Sequence, residues 1–215
     1  MSLEKSISAI IFDCDGVMFD SRQANTNFYN HILKKFNLPP MNKDDEYFVH
    51  IHTAKESVAQ IFKGTPFGEE AEAYRPKIDY SPFIKYMVIE PGLKELLDIL
   101  RPRFGLAVAT NRSNTILSVL EVFDLKEYFD IVVSSLSVSK PKPHPESVFK
   151  ILDYFHIKTE EAMYIGDSIV DYETAKAAGV PFVSYKNNSL KTPNRIAHLT
   201  ELLDILSEKE QPIAD

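Results

Sequence analysis

The sequence contains very little cysteine: Cys14 is the single one among 215 residues. One cysteine excludes an internal disulfide and a cysteine-based metal site, and it fits a reducing compartment. Long apolar runs are also absent; the longest have only the length of a strand, which argues against a transmembrane helix. The first six residues, MSLEKS, lack the apolar region of a secretory signal. We therefore expect a cytoplasmic protein without a membrane partner.

Positive charge is scarce and scattered. The chain has 24 lysines and arginines against 31 acidic residues, a net charge of −7. Because no basic stripe exists, a nucleic-acid partner is not expected, and any bound phosphate needs a local trap. The apolar fraction of 44% and the charged fraction of 26% are those of an ordinary globular protein. At this length we expect one core with an accessory lobe.

Short, nearly continuous apolar runs recur along the chain, as in strands that are buried on both faces of a parallel sheet. Amphipathic segments with helical spacing lie between them, for example Ile116, Leu117, Leu120 and Phe123. This alternation predicts a doubly wound, Rossmann-like α/β core with right-handed crossovers. The five predicted core strands are residues 7–12, 106–109, 131–133, 162–165 and 181–184.

The interval 19–88 breaks the alternation. It has several amphipathic stretches and no convincing buried strand, and Pro39-Pro40 and Gly64-Thr65-Pro66 separate them. We therefore predict a helical insertion at 19–88, with residues 1–18 and 89–215 forming the α/β core. A further helix is predicted to open at Pro91-Gly92.

Polar residues follow four of the predicted strands, where ligands bind in open α/β sheets. They are Asp13-Cys14-Asp15-Gly16, then Thr110-Asn111-Arg112, a lysine and proline run, and Gly166-Asp167-Ser168. Three aspartates brought together would repel one another unless a cation held them, and their hard oxygen atoms suit Mg²⁺. One carboxylate can attack phosphorus, and a second can protonate the leaving oxygen and later activate water.

Two of these segments carry a family resemblance. DCDGVMFD at 13–20 resembles the DxDGxxxD nucleophile motif of the haloacid dehalogenase-like superfamily, and GDSIVD at 166–171 is similar to its GDSxxD motif. The resemblance implies that Asp13 is the nucleophile and a metal ligand. It implies that Asp15 is the general acid and base and also gives its backbone carbonyl to Mg²⁺. Asp167 is then a metal ligand, and Asp171 supports the metal site.

The phosphate-binding residues follow from the same resemblance. Thr110 matches the hydroxyl of the second motif, and Asn111 follows it as a further phosphate-binding residue. The segment 139–146 resembles the third motif, a lysine in a KPxP context, which both Lys140 and Lys142 begin. Lys142 is favoured because the following Pro145-Glu146 is typical of a helix start.

An insertion directly after the first motif is similar to the helical cap of the phosphoglycolate phosphatase-like branch. The resemblance implies a Mg²⁺-dependent phosphatase that acts on a small phosphorylated metabolite through an aspartyl-phosphate, as a monomer or a homodimer. Asp15 argues against a dehalogenase. Two alternatives stay open: a sugar phosphomutase, which has the same motifs, and a non-catalytic binding or regulatory module.

Overall fold

The structure is a computed structural model that describes residues 7–210. The predicted core's segments at 1–6 and 211–215, and with them the MSLEKS start, lie outside the described residues. The strands in chain order are β1 (Ala9–Phe12), β2 (Phe19–Asp20), β3 (Val88–Ile89), β4 (Gly105–Ala109), β5 (Ile131–Val133), β6 (Ala162–Gly166), β7 (Phe182–Tyr185) and β8 (Asn194–Ile196).

Six of these strands form one parallel sheet in the order β5-β4-β1-β6-β7-β8. All five predicted core strands are present in it. Strand β1 lies inside the sheet between β4 and β6, and all four of its residues are buried. Neighbouring side chains of a strand point to opposite faces, so Ile10 and Phe12 join one hydrophobic cluster while Ile11 joins the other.

Helices cover both faces of this sheet. On one face, apolar side chains of α6 (Leu93–Leu100), α7 (Ile116–Val122) and α10 (Leu202–Glu210) belong to the cluster of Ile10 and Phe12. On the other face, those of α8 (Glu146–Phe155) and α9 (Ile169–Ala178) belong to the cluster of Ile11. The predicted doubly wound α/β core is therefore confirmed. Within residues 7–210, no helix is long and apolar enough to cross a membrane.

The segment between β2 and β3 is helical and forms what we call the helical insertion, residues 22–84. Its aromatic side chains pack on one another, as Phe36 does on Phe62 and Phe67. The antiparallel pair β2 and β3 joins the two points where the chain enters and leaves this segment. The exact division at 19 and 88 stays a prediction. The helices are α1 (Arg22–Lys35), α2 (Lys43–Ile51), α3 (Ala54–Ile61), α4 (Gly68–Tyr74) and α5 (Ser81–Ile84).

One helix start differs from its prediction. Helix α6 begins at Leu93, with Gly92 as the N-cap residue at φ +79°, so Pro91 precedes the helix instead of occupying its first turn. The left-handed φ explains the shift, because glycine adopts it without steric cost and a helical residue does not have it. Helix α9 ends at Ala178, and Gly179 follows its last turn at φ +72°.

Candidate active site

The loops after β1, β4, β5 and β6 converge on one cleft at the carboxyl edge of the sheet. Parallel strands bring their carboxyl ends to the same edge, which is where α/β proteins bind ligands. The helical insertion covers part of this cleft. Six of the seven predicted site residues line it, and the seventh, Asp171, contacts one of them; the six are Asp13, Asp15, Thr110, Asn111, Lys142 and Asp167.

Asp13 and Lys142 form a buried ion pair at the base of the cleft. The Lys142 ammonium donates to Oδ1 of Asp13 at 2.7 Å, across 129 residues of sequence. Burial raises the pKa of Asp13 to about 7, and the charge of Asp171 adds to the rise while Lys142 opposes it. Burial alone would lower the pKa of Lys142, but the two aspartates outweigh it and the pKa lies well above its ordinary value. Lys142 is therefore a fixed positive charge.

Two further groups hold the Lys142 ammonium. It donates to Oδ1 of Asp171 at 2.6 Å and to the Tyr164 hydroxyl at 3.1 Å. The other Asp171 oxygen accepts from the amide and hydroxyl of Ser168, which forms a capping box at the start of α9. Asp171 thus links the lysine to a helix end and stands behind the site.

Asn111 is bonded to the backbone of the same lysine. Its Oδ1 accepts from the Lys142 amide at 3.1 Å, and its Nδ2 donates to the Lys142 carbonyl at 3.2 Å. The side chain therefore positions Lys142, and a phosphate contact by Asn111 stays a prediction. The Thr110 hydroxyl accepts from the Arg112 amide at 3.0 Å and still carries a proton to donate.

The two candidate lysines differ sharply in their surroundings. Lys142 is buried at the site, whereas Lys140 is exposed. Glu146, the first residue of α8, accepts from the Ser139 amide at 2.9 Å, the Ser139 hydroxyl at 2.6 Å and the Lys140 amide at 3.0 Å. This carboxylate fixes the loop that leads to Lys142. The Ser139 hydrogen bonds lower the pKa of Glu146 to about 2.

Three carboxylates lie close enough to share one cation. Oxygens of Asp13, Asp167 and Asp171 are all within 4.8 Å of one another. Burial raises the pKa of Asp167 well above its ordinary value, and the charges of Asp171 and Asp13 add to the rise. Since both oxygens of Asp171 already have donors, Asp13 and Asp167 are the better ligands. A crowded, all-oxygen donor set of this kind fits Mg²⁺.

Gly16 leaves room for the Asp167 carboxylate. A Cβ atom at position 16 would lie 2.1 Å from Oδ2 of Asp167, and the residue has φ +91°. Both the close approach and the left-handed backbone require glycine here. The turn after β1 therefore brings Asp167 against the backbone that carries Asp13 and Asp15.

The Asp15 carboxylate points away from this cluster, toward Arg112. Nε of Arg112 donates to Oδ2 at 3.0 Å, and Nη2 makes a short contact to Oδ1, which also accepts from the Ser21 hydroxyl. Burial acts to raise the pKa of Asp15, but the guanidinium outweighs it and holds the pKa below its ordinary value. The predicted metal contact of Asp15 through its backbone carbonyl stays a prediction.

Arg112 was not assigned a role from the sequence. It stands directly after Thr110-Asn111. An arginine in a loop that was predicted to lie near three aspartates could have been assigned as an ion-pair partner of one of them. Its guanidinium carbon lies 5.1 Å from the ring centre of Tyr80, which comes from the helical insertion. The side chain is 5% exposed, so the cation is enclosed between the sheet edge and the insertion.

Cys14 lies between the two aspartates of the first motif but does not enter the cleft. It is fully buried and belongs to the hydrophobic cluster with Phe12 and Val17. Burial raises the pKa of its thiol well above the ordinary value. A neutral, enclosed thiol is a packing residue and not a nucleophile.

The chain is similar to known proteins in both sequence and fold. A family model described as haloacid dehalogenase-like hydrolase matches residues 10–185. A phosphoglycolate phosphatase of Rhodobacter capsulatus is 30% identical over 196 residues, which are 86% of this chain and 87% of that protein. A phosphorylated carbohydrates phosphatase of Thermotoga maritima is 25% identical and covers 81% of this chain and 82% of its own length.

A solved structure extends the likeness to the whole fold. The crystal structure of a subfamily IA hydrolase of the haloacid dehalogenase superfamily from Geobacter sulfurreducens has a TM-score of 0.83 and 40% identity. It covers 93% of this chain and all of that one. The resemblance that the two aspartate motifs indicate is thereby confirmed. The chain belongs to the haloacid dehalogenase-like hydrolases.

Proposed function

We propose that this protein is a Mg²⁺-dependent phosphatase that hydrolyses a small phosphomonoester through an aspartyl-phosphate on Asp13. The observation that carries the proposal is the pairing of Asp13 with Lys142 at 2.7 Å inside the cleft. One oxygen of the nucleophile is held by a fixed cation, and phosphoryl transfer needs positive charge close to the attacked group.

The named relatives support the same class of reaction. The Rhodobacter capsulatus and Thermotoga maritima proteins are phosphatases of phosphoglycolate and of phosphorylated carbohydrates, respectively. Both substrates are small phosphomonoesters. A net charge of −7 makes an anionic substrate depend on the local cations of the cleft, which include Lys142 and Arg112.

Each residue then has a distinct task. Asp13 attacks phosphorus, while the Lys142 ammonium and the Thr110 hydroxyl donate to the phosphoryl oxygens. Asp15 gives a proton to the leaving oxygen and later takes one from the attacking water. Mg²⁺, held by Asp13, Asp167 and the Asp15 carbonyl, would supply charge neutralisation for the phosphoryl oxygens. Asp171 and Asn111 keep Lys142 in place.

The test is phosphate release from a panel of small phosphate esters, with Mg²⁺ or with a chelator. We expect turnover with Mg²⁺ and a loss of at least about a thousandfold in Asp13→Asn, since the amide is a poor nucleophile. Asp153→Asn, a change at a surface position of α8, is the matched control. Turnover that survives in Asp13→Asn would exclude the aspartyl-phosphate, and transfer of phosphate within a sugar without release would favour a mutase.

A further inference from the structure

Arg112 joins the two parts of the molecule at the cleft. Besides its two contacts to Asp15, its Nη2 lies 3.5 Å from Oδ1 of Asn25, and its Nη1 donates to Oγ1 of Thr115 at 3.2 Å. The Tyr80 hydroxyl donates to the same Asn25 oxygen at 3.1 Å. Asn25 and Tyr80 of the insertion thus contact the same guanidinium that holds Asp15, and Asn25 shares its Nη2 with Asp15.

This arrangement conflicts with the task of Asp15 in the proposed function. Both oxygens of Asp15 are bound by Arg112, and the Ser21 hydroxyl donates to one of them. A carboxylate with this set of donors is stabilised where it lies, since bidentate arginine pairs are among the strongest hydrogen-bonded contacts. Asp15 reaches a leaving oxygen only when another group replaces it on the guanidinium.

The cleft offers such a group a second contact. His50, from α2 of the insertion, lines the same cleft as Arg112. Among the described residues, neither of its buried ring nitrogens has a hydrogen-bond partner. A buried polar atom without a partner is costly, so a ligand that supplies one is favoured. Arg75 also lines the cleft, but its guanidinium is already paired with Glu72.

We propose that Arg112 determines specificity by binding a carboxylate on the alcohol half of the substrate, in exchange for Asp15. The substrate carboxylate then displaces Asp15 from Arg112, and Asp15 becomes free to protonate the leaving oxygen. A planar carboxylate matches the guanidinium as Asp15 does, and a His50 ring nitrogen can donate to it. A neutral alcohol half leaves the Arg112 and Asp15 pair intact. This inference rests on the proposed function and names its substrate class.

The first test compares two esters of equal size with the unmodified enzyme. 2-Phosphoglycolate carries a carboxylate, and its amide, 2-amino-2-oxoethyl phosphate, does not. We expect kcat/KM to be at least about tenfold higher for the carboxylate, as a charged contact to a buried partner requires. Equal kcat/KM values for the two esters would overturn the proposal without needing any variant.

The second test changes the arginine. We expect Arg112→Gln to lower kcat/KM for phosphoglycolate at least about tenfold, mainly through KM, and to lower the value for the amide much less. Arg112→Lys should retain part of the preference for phosphoglycolate over its amide, because lysine keeps the positive charge but loses the bidentate geometry. Arg101→Gln, which removes an arginine paired with Asp130 outside the cleft, is the control and should preserve the discrimination. An equal loss for both esters in Arg112→Gln would assign the arginine a structural role only.

A binding measurement separates this proposal from the proposed function. Calorimetry with the Asp13→Asn variant, at an MgCl₂ concentration high enough to offset the loss of one ligand oxygen, reports affinity for both esters without turnover. Phosphoglycolate that binds more tightly than its amide supports the anion site, provided that the difference disappears in the double variant Asp13→Asn/Arg112→Gln. This holds even if the native enzyme releases no phosphate. Equal affinity for the two esters overturns the anion site even if phosphate release is fast.

Discussion

Asp171 pairs with Lys142 inside the protein and joins the start of α9 to the loop that precedes α8. The oxygen to nitrogen distance is 2.6 Å, and each side chain is at most 4% exposed. Asp171 therefore has two structural partners, a lysine and a helix end, before any metal is considered. The pair explains how a lysine far from the aspartates in sequence is held against Asp13.

Removing the ammonium group should affect both stability and turnover. In Lys142→Met, Asp13 and Asp171 lose their shared cation, so we expect a loss of about 3 kcal/mol in the free energy of unfolding without Mg²⁺. Phosphate release should fall at least about a hundredfold. Denaturant unfolding in chelator and a phosphate assay measure the two effects. Lys140→Met, at an exposed position, should stay within about 0.5 kcal/mol; comparable losses in both variants would contradict the assignment of Lys142.

The two aspartates of the last motif should differ in metal binding. We expect Asp167→Asn to weaken Mg²⁺ binding at least about a hundredfold, because it removes a ligand. Asp171→Asn should weaken Mg²⁺ binding less, by about tenfold, as for a group that contacts the ligands and not the metal. The same variant should lose about 2 kcal/mol of stability, since it weakens the Lys142 pair and the capping box. Calorimetric titration with MgCl₂ measures the affinity of each variant. Equal losses of affinity in Asp167→Asn and Asp171→Asn would place Asp171 among the ligands.

Glycine is needed at position 16 for two reasons that a matched pair of variants separates. Gly16 and Gly64 both have a left-handed φ, +91° and +80°, but only Gly16 faces a side chain within 4 Å. We expect Gly16→Ala and Gly64→Ala each to cost about 1–2 kcal/mol in backbone strain. Only Gly16→Ala should also lose Mg²⁺ affinity and turnover, because its methyl group displaces Asp167. Intact Mg²⁺ binding in Gly16→Ala would contradict the close packing of that loop.

The carboxylate of Glu146 provides a test by pH. Its pKa of about 2 lies below the ordinary 4.5, so its contribution to stability is fully present above about pH 4.5 and is lost as pH falls through about 2. Glu146→Gln should therefore be less stable than the native chain at pH 7, with the gap narrowing as pH falls. Thermal unfolding of both proteins at several values between pH 7 and pH 3 measures this difference in stability. In Ser139→Ala, an NMR titration should find the pKa of Glu146 higher; an unchanged value would contradict the Ser139 hydrogen bonds.

Much of the core could be predicted because its strands are buried on both faces. Such strands stand out as apolar runs, and polar residues directly after them mark the edge where ligands bind. Strand β8 escaped prediction because it has two polar residues and a single buried one, Ile196. Strands β2 and β3 have two residues each, too few for any periodicity.

The site was predictable only where its residues belong to motifs. Asp13 and Asp167 stand in local patterns that the sequence displays. Arg112 pairs with Asp15 across 97 positions, and it is enclosed by Tyr80 from an insertion whose sequence has no recognisable motif. No local pattern records a contact of that kind. The insertion's contribution to the cleft had to come from the structure.

Because Cys14 is buried, its reactivity can report local opening of the structure around it. A thiolate is the reactive form, and a thiol enclosed beside the central strand with a raised pKa reacts only when that strand is uncovered. Because the chain has no other cysteine, the rate of labelling by a thiol reagent follows the opening of one place, the turn between Asp13 and Asp15. If Mg²⁺ or substrate slows the labelling, the size of that effect measures, without turnover, how much each ligand stabilises this turn against local opening.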